Sequence, residues 1–353
     1  MHVLITLLLG AIVAFALQRH SDTDRLGYWR PLAGAVAAAL PYVDYLFWLF
    51  GPTFYAQHHF AETWSVYLLP FYGAALAWGM GYASKKPWLY FLPITVVALF
   101  VSVLLGVMTE QGLRIYTPFS QNYVTGQIVY SFDMVMFVSL LFAVLVCFLL
   151  KKWQRDLSRV VLVLLVGYVF VLTTFHAKAE AFARGYERTM DLDVIRTEVM
   201  PQPLSPMNWR IIIHTTDDRM HDTLVHLGSG PKKGESEAQN RTERVAALYK
   251  PLDEAVWRIY RRFGKSAATP IARAAWVSHV DNRVFRWKMR YAVMKDIYQF
   301  DGSDCVRFKD LRMEGAKRDY LGTFLLCPPA DAMTDWRFYE ANRSGEFKQL
   351  KLF

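Results

Sequence analysis

Charge is scarce in this sequence. Of its 353 residues only 20% are Asp, Glu, Lys or Arg, while 54% are hydrophobic and the mean hydropathy is positive. That balance fits a membrane protein better than an ordinary globular one. The familiar catalytic signatures are also missing. No P-loop, G-x-G-x-x-G, G-x-S-x-G or C-x-x-C occurs, so nucleotide-binding and α/β-hydrolase readings have nothing to rest on. Cysteine is limited to three residues: Cys147 in an apolar run, and Cys305 and Cys327 in the more polar second half. There is no internal repeat and no low-complexity tract. The formal charge of +9 divides into +3 before residue 177 and +6 beyond it. It forms no compact basic stripe, so a nucleic-acid partner is not expected.

What is present in quantity is apolar sequence. Six segments, roughly 2–17, 32–50, 64–83, 88–108, 131–150 and 159–176, read as an α-helical membrane domain of about six transmembrane helices. The second is interrupted by Pro41 and Asp44, and its Gly-Ala-Val-Ala-Ala-Ala run predicts close helix–helix contact. The first also imitates a signal peptide, with Ala14-Phe15-Ala16 as cleavage site, but no Lys or Arg precedes it. Basic residues fall on alternate loops: Arg19, Arg25 and Arg30; Lys85 and Lys86; Lys151, Lys152 and Arg155. The positive-inside rule then puts these loops in the cytoplasm and both termini in the periplasm of a bacterial inner membrane.

That topology gathers Asp44, His58, His59, Glu62, Glu110, Asp133 and His176 near one membrane face. Ionisable groups at bilayer depth are costly, so each is a functional-site candidate; Asp44 at a helix end meeting water is the plain alternative. His58 or His59 with Glu62 has the helical spacing of two ligands on one face. Thr63 and Ser65 are placed to cap the next helix.

After residue 178 the composition shifts, and residues 179–353 read as a small α+β periplasmic domain. The sixth span continues outward as a helix through about residue 196. Asn208–Thr216 and Met220–Gly228 flank Asp217-Asp218 as a hairpin, and 229–243 reads as a polar exposed loop. Residues 246–264 and 270–291 read as helices; 292–300, 305–313 and 320–327 read as strands. With a turn near Gly315-Ala316-Lys317, apolar residues pair as Val306 with Leu326, Phe308 with Phe324 and Leu311 with Leu321. The same register sets Cys305 opposite Cys327, within disulfide reach, with two free half-buried thiols as the alternative.

Several short stretches, in order, resemble the YdjM-type inner-membrane proteins, a family described as metal-dependent hydrolases and as LexA-binding. They are Ile5-Thr6 to Gly10, Pro41-Tyr42-Val43-Asp44, His59-Phe60-Ala61-Glu62-Thr63-Trp64-Ser65, Gln111-Gly112-Leu113-Arg114 to Pro118-Phe119-Ser120, and Asp133. Pro201, Pro203, Trp209-Arg210 and Asp310-Leu311-Arg312 look similar to its longer members. The resemblance implies a divalent metal ion, zinc or another, activating water on a phosphoester-type bond of a membrane-associated substrate. It makes Asp44 and His59 the catalytic pair and adds Asp133 as a ligand.

The departures matter as much. Thr6 and Trp64 stand where the family has His, Tyr42 where it has Asp, and Ser102 and Gly106 where a later His and Asp belong. Two readings stay open. Either the site is rewired, with His2, His58, Glu62 and Glu110 as replacement ligands and Arg114, Ser120, Thr63 and Ser65 holding substrate. Or the chain is a non-catalytic relative whose pocket binds a lipid-like ligand or a partner protein.

Overall fold

The structure is a computed structural model and describes residues 2–18, 26–228, 240–265, 269–313, 322–329, 336–342 and 344–350. Its first part is helical. α1 (His2–Ala16) leads to α2 (Trp29–Ala39), which passes at Leu40 into a 3₁₀ helix, Leu40–Phe50. Pro41 has no N–H to continue the α-helical ladder, and the chain tightens there. Gly51, with φ of 104°, turns it into α3 (Pro52–His58). Then follow α4 (Leu69–Ser84), α5 (Leu92–Val107), α6 (Met134–Leu149) and α7 (Gln154–Thr189). α4 and α5 carry proline in their first turn, where a missing N–H costs nothing.

Among the described residues three segments are long and apolar enough to cross a membrane: Trp29–Phe50, Trp88–Val107 and Gln154–Thr189. Six spans of full membrane length are therefore not supported. α1, α4 and α6 form in the expected places but have only 15 or 16 residues. At ~1.5 Å per residue they reach about 24 Å, short of a hydrocarbon core of about 30 Å. α1 is the hub of this region, packed on α2, α5, α6 and α7 with Ile5, Leu9, Ile12 and Val13 buried. Gly10 and Gly34 face each other so closely that a Cβ on either would overlap the other's carbonyl oxygen. This is the close contact expected of the small-residue run.

The described flanks of the basic loops meet at one end of the bundle. Gln154 Nε2 donates to Gln18 Oε1 at 2.6 Å, and Arg159 Nε donates to the Ala16 carbonyl at 3.2 Å. Leu26, Phe91 and Ile94 share a buried cluster there with Ala14 and Trp29.

α7 continues unbroken past residue 178 and ends at Thr189, short of the expected 196. Its outer half lays Ala179 and Ala183 on a five-stranded sheet, against Val199, Trp209, Ile211 and Val225. That sheet runs β1 (Val194–Pro201), β2 (Asn208–Thr215), β3 (Arg219–His226), with β4 (Lys250–Pro251) and β5 (Arg258–Arg261) both on β3. The β2–β3 hairpin is as expected, and Asp218 adopts φ of 62° in its turn. The polar loop lies mostly outside the described residues. The helix expected over 246–264 is not formed. α8 (Arg241–Ala247) stops short, Pro251 breaks the pattern, and residues 258–261 join β3 as a strand. Trp257, which looked like a helical aromatic face, stacks on Tyr186 of α7 at 3.8 Å.

α9 (Thr269–Val277) and α10 (Arg283–Lys288) divide the expected 270–291 helix. They cover a second, antiparallel sheet of β6 (Ala292–Phe300), β7 (Ser303–Asp310), β8 (Thr323–Cys327), β9 (Arg337–Ala341) and β10 (Phe347–Leu350). Val306 pairs with Leu326 and Phe308 with Phe324. Cys305 and Cys327 form a disulfide with Cα atoms 4.2 Å apart. Leu321 and the turn at 315–317 lie outside the described residues. Met200, Ile212, Met220, Tyr291, Val293 and Leu311 form the core between the two sheets.

Candidate functional site

Asp44 is fully buried on the 3₁₀ helix, because this tighter spiral turns its carboxylate inward while Val43 and Leu46 stay exposed. A buried carboxylate must find donors or a counter-charge. Phe60 supplies one: its φ of 61° places it in the left-handed region, and its N–H donates to Asp44 Oδ2 at 2.8 Å. Trp64 supplies the second, donating Nε1–H to the same oxygen at 3.2 Å. His59 Nδ1 stands 3.0 Å from Oδ2, at ion-pair distance but without hydrogen-bond alignment. Oδ1 of Asp44 has no partner.

Aromatic rings enclose this centre. Tyr55 stacks on the His59 ring at 4.4 Å and Tyr45 tilts against it at 4.9 Å. Tyr42 meets Trp64 edge-on at 4.9 Å and is hydrogen-bonded to Thr6. The Trp64 ring fills the space above Gly106, where a Cβ would come within 2.6 Å of its Cζ3. Ser102, one turn earlier, donates to the Ala38 carbonyl at 2.7 Å. Four of the positions where this chain departs from the family pattern, Thr6, Tyr42, Trp64 and Gly106, therefore converge on one buried spot beside Asp44. Indole, phenol and a bare glycine occupy it.

The other candidate residues are engaged elsewhere. Asp133 caps α6, accepting the Met136 N–H at 2.8 Å on Oδ1 and the Tyr168 hydroxyl at 2.7 Å on Oδ2. Glu110 accepts from the Ser131 N–H at 3.0 Å and its hydroxyl at 2.5 Å. Burial pushes its carboxyl above the usual carboxylate range, offset in part by Ser131 and by Arg312 of the sheet region. Glu62 pairs with His58 at 3.0 Å, both part-exposed on the rim. His2 begins α1, and its side chain lies outside what the structure describes. Among the described residues no three His, Cys, Asp or Glu side chains group as a metal site. The donor set at Asp44 offers one unpartnered carboxylate oxygen, Oδ1, and one imidazole, which falls short of the three protein ligands and open position of a catalytic metal.

Arg114 clamps the site instead of facing into it. Its guanidinium donates to the Gln57 carbonyl, to the His59 carbonyl at 3.2 Å and to Gln121 Oε1 at 3.1 Å. Ser65 donates to the Thr117 carbonyl at 2.5 Å, and α4 starts at Leu69 without a side-chain cap, so neither Ser65 nor Thr63 plays the capping part. The Thr63 hydroxyl is buried without a partner. Ser120 accepts from the Asn122 N–H at 3.3 Å. Sequence reasoning missed Phe60, which acts through its backbone, and Tyr168, whose partner is 35 residues away.

Chemically, the arrangement can do one thing without a metal. An imidazole whose Nδ1 faces a buried carboxylate presents Nε2 as a base or acceptor, and the His59 side chain keeps 14% of its surface exposed. No curated protein and no solved structure matches the chain. The family model described as YdjM inner membrane protein matches residues 1–179, and the chain, an inner-membrane protein by that match, belongs to this family.

Proposed function

We propose that the Asp44–His59 centre is a binding site rather than a hydrolytic one, and that it holds a lipid-like ligand at the periplasmic face of the inner membrane. One observation carries this: Trp64, where the resemblance implies a ligand, donates to Asp44 Oδ2 and fills the space over Gly106 with its ring. Two N–H donors and the His59 ring already crowd Oδ2, so Asp44 has only Oδ1 left to offer a cation, with too few other ligands beside it. The rim around it is broad and apolar: Tyr45, Trp48, Phe50 and Phe54 are all exposed, as suits residues at a membrane interface. The periplasmic placement rests on the basic loops, which share the opposite end of the bundle. In this topology α1, α4 and α6 complete an alternation with the three longer helices, locally thinning the bilayer. Both termini then lie outside.

The test is metal analysis and native mass spectrometry of detergent-purified protein. The expected result is less than about 0.1 equivalent of divalent metal after loading, and a co-purified lipid lost in a Trp48→Ala/Phe54→Ala variant. Stoichiometric metal released by Asp44→Asn, together with phosphoesterase activity, would overturn it. A second reading, phosphoester hydrolysis, is favoured by the free Nε2 of His59; it requires activity that His59→Gln abolishes. Cysteine labelling at positions 86, 155 and 200 tests the topology: only position 200 should react from outside intact cells.

A further inference from the structure

The connection from α5 to α6 does not end at the membrane helices. Its Tyr123 rests on α10, and residues 121–123 close one side of a cavity of about 390 Å³. The other walls include Arg196, Arg262, Arg286, Arg290, Trp276 and Trp287. That volume is in the range of small-ligand sites, about 300–1,000 Å³.

Two of the four guanidiniums are held by stacking. Arg262 lies over the Trp276 ring at 4.8 Å and Arg290 over Trp287 at 5.3 Å. Trp287 in turn stacks on Tyr123 at 4.1 Å with 6° between the planes, and Arg114 lies on Tyr123 at 5.5 Å. A stacked guanidinium presents its N–H edges sideways, the geometry that meets phosphate oxygens in pairs.

Their charge is under-compensated. Glu198 faces both Arg196 and Arg290, and Asp218 is shared between Arg273 and Arg262. Arg286 is exposed with no carboxylate against it among the described residues. Nε of Arg290 is buried without a hydrogen bond, and Nε of Arg196 has only the misaligned Glu198 oxygen at 2.6 Å. His214 behind them accepts from Arg262 on Nδ1 at 3.3 Å, so its own proton sits on Nε2, also unpartnered. Crowding shows in titration too: burial and then Arg196, Arg262 and Arg290 hold His214 down at about 2.

We propose that this cleft binds a phosphate monoester or diphosphate, gripped by Arg262, Arg286 and Arg290 with its organic part against Trp276 and Trp287. The phosphate belongs either to a lipid headgroup, since the cleft adjoins the connection between α5 and α6, or to a soluble metabolite.

The experiment uses the full chain in zwitterionic nanodiscs. Inorganic pyrophosphate is titrated against intrinsic tryptophan fluorescence, and phosphatidic acid is then introduced into the discs at increasing fraction. Saturable binding of at least one probe is expected, weakened at least tenfold by Arg286→Gln and further by Arg262→Gln, with the Arg286→Gln melting temperature unchanged. Pyrophosphate binding alone identifies a soluble ligand; phosphatidic acid binding alone, a headgroup. If neither probe saturates, or if both variants bind as tightly as wild type, the proposal is wrong.

Discussion

Trp64 shows how a single residue can alter a site without disturbing its scaffold. Its indole is 1% exposed and makes a hydrogen bond to Asp44 that an imidazole at the same place would have to replace. Trp64→Phe keeps most of the volume and removes the donor, leaving a buried carboxylate with one fewer partner, at a cost of about 1–3 kcal/mol. In a double-mutant cycle with Asp44→Ala the penalties should fall short of additivity, because both variants break the same contact. Strict additivity in denaturant unfolding would deny the coupling. His214 gives a second residue-scale expectation. Its unfolded imidazole titrates near ~6.5, whereas the folded one is held at about 2. Below ~6.5 the unfolded chain therefore binds a proton that the folded chain does not. Stability falls as pH drops through that value, by up to about 1.4 kcal/mol per pH unit from this group. Between pH 6.5 and 5.5 His214→Gln should lose correspondingly less stability than wild type in chemical denaturation. Equal losses would show that His214 is not the group responsible.

At the scale of elements, the α1–α2 contact and the β7–β8 hairpin were both readable from pattern, for different reasons. Small residues at Gly34, Ala37 and Ala38 announce a close helix approach, and the structure seats Gly10 against Gly34. Gly10→Val would force the helices apart and cost at least the ~1–3 kcal/mol of ordinary overpacking, seen as a lower melting temperature in detergent. The hairpin was legible because a turn near residue 316 sets apolar residues opposite each other on both faces, and that register brings Cys305 to Cys327. Unreduced, alkylated protein should carry no label at 305 or 327 by mass spectrometry, and Cys147 should label only after unfolding. By the loop-closure estimate, removing a cross-link across 22 residues costs about 3 kcal/mol. The failures have physical causes as well. Residues 246–264 carry helical spacing, but Pro251 and the open edge of β3 decide otherwise. β9 and β10 are short strands without alternation strong enough to show. At the candidate site, type and spacing singled out Asp44 and offered His58 or His59 with Glu62, while the pairing of Asp44 with His59 came from the family resemblance. The donors from Phe60 and Trp64 could not be read, since one is a backbone group set by an unusual φ and the other a side chain expected only to fill space.

At the scale of the whole molecule, the helical region and the two sheets meet around one buried carboxylate. Glu198, on β1 and 2% exposed, accepts from Gln127 of the α5–α6 connection, from Arg290 after α10, and from the Tyr291 hydroxyl at 2.8 Å. It therefore ties the first sheet, the second sheet's entry and the membrane-side connection together. The Tyr123–Trp287 stack and the charge of Arg312 near Glu110 reinforce the same seam. Glu198→Ala would leave Arg196 and Arg290 facing each other without the shared anion. Breaking a buried pair on one side costs about 3–5 kcal/mol, more than its net contribution to folding, because the remaining charge is stranded. The damage should be local to the seam, since α1 and α2 are packed by apolar contacts that Glu198 does not touch. In hydrogen exchange on the full chain, Glu198→Ala should lose protection over residues 121–131 and 287–293 while α1 and α2 keep theirs. Arg290→Ala on the same background should restore part of the lost stability by removing one stranded cation. Uniform loss across α1 and α2, or no change at 121–131, would mean that Glu198 does not hold the two regions together.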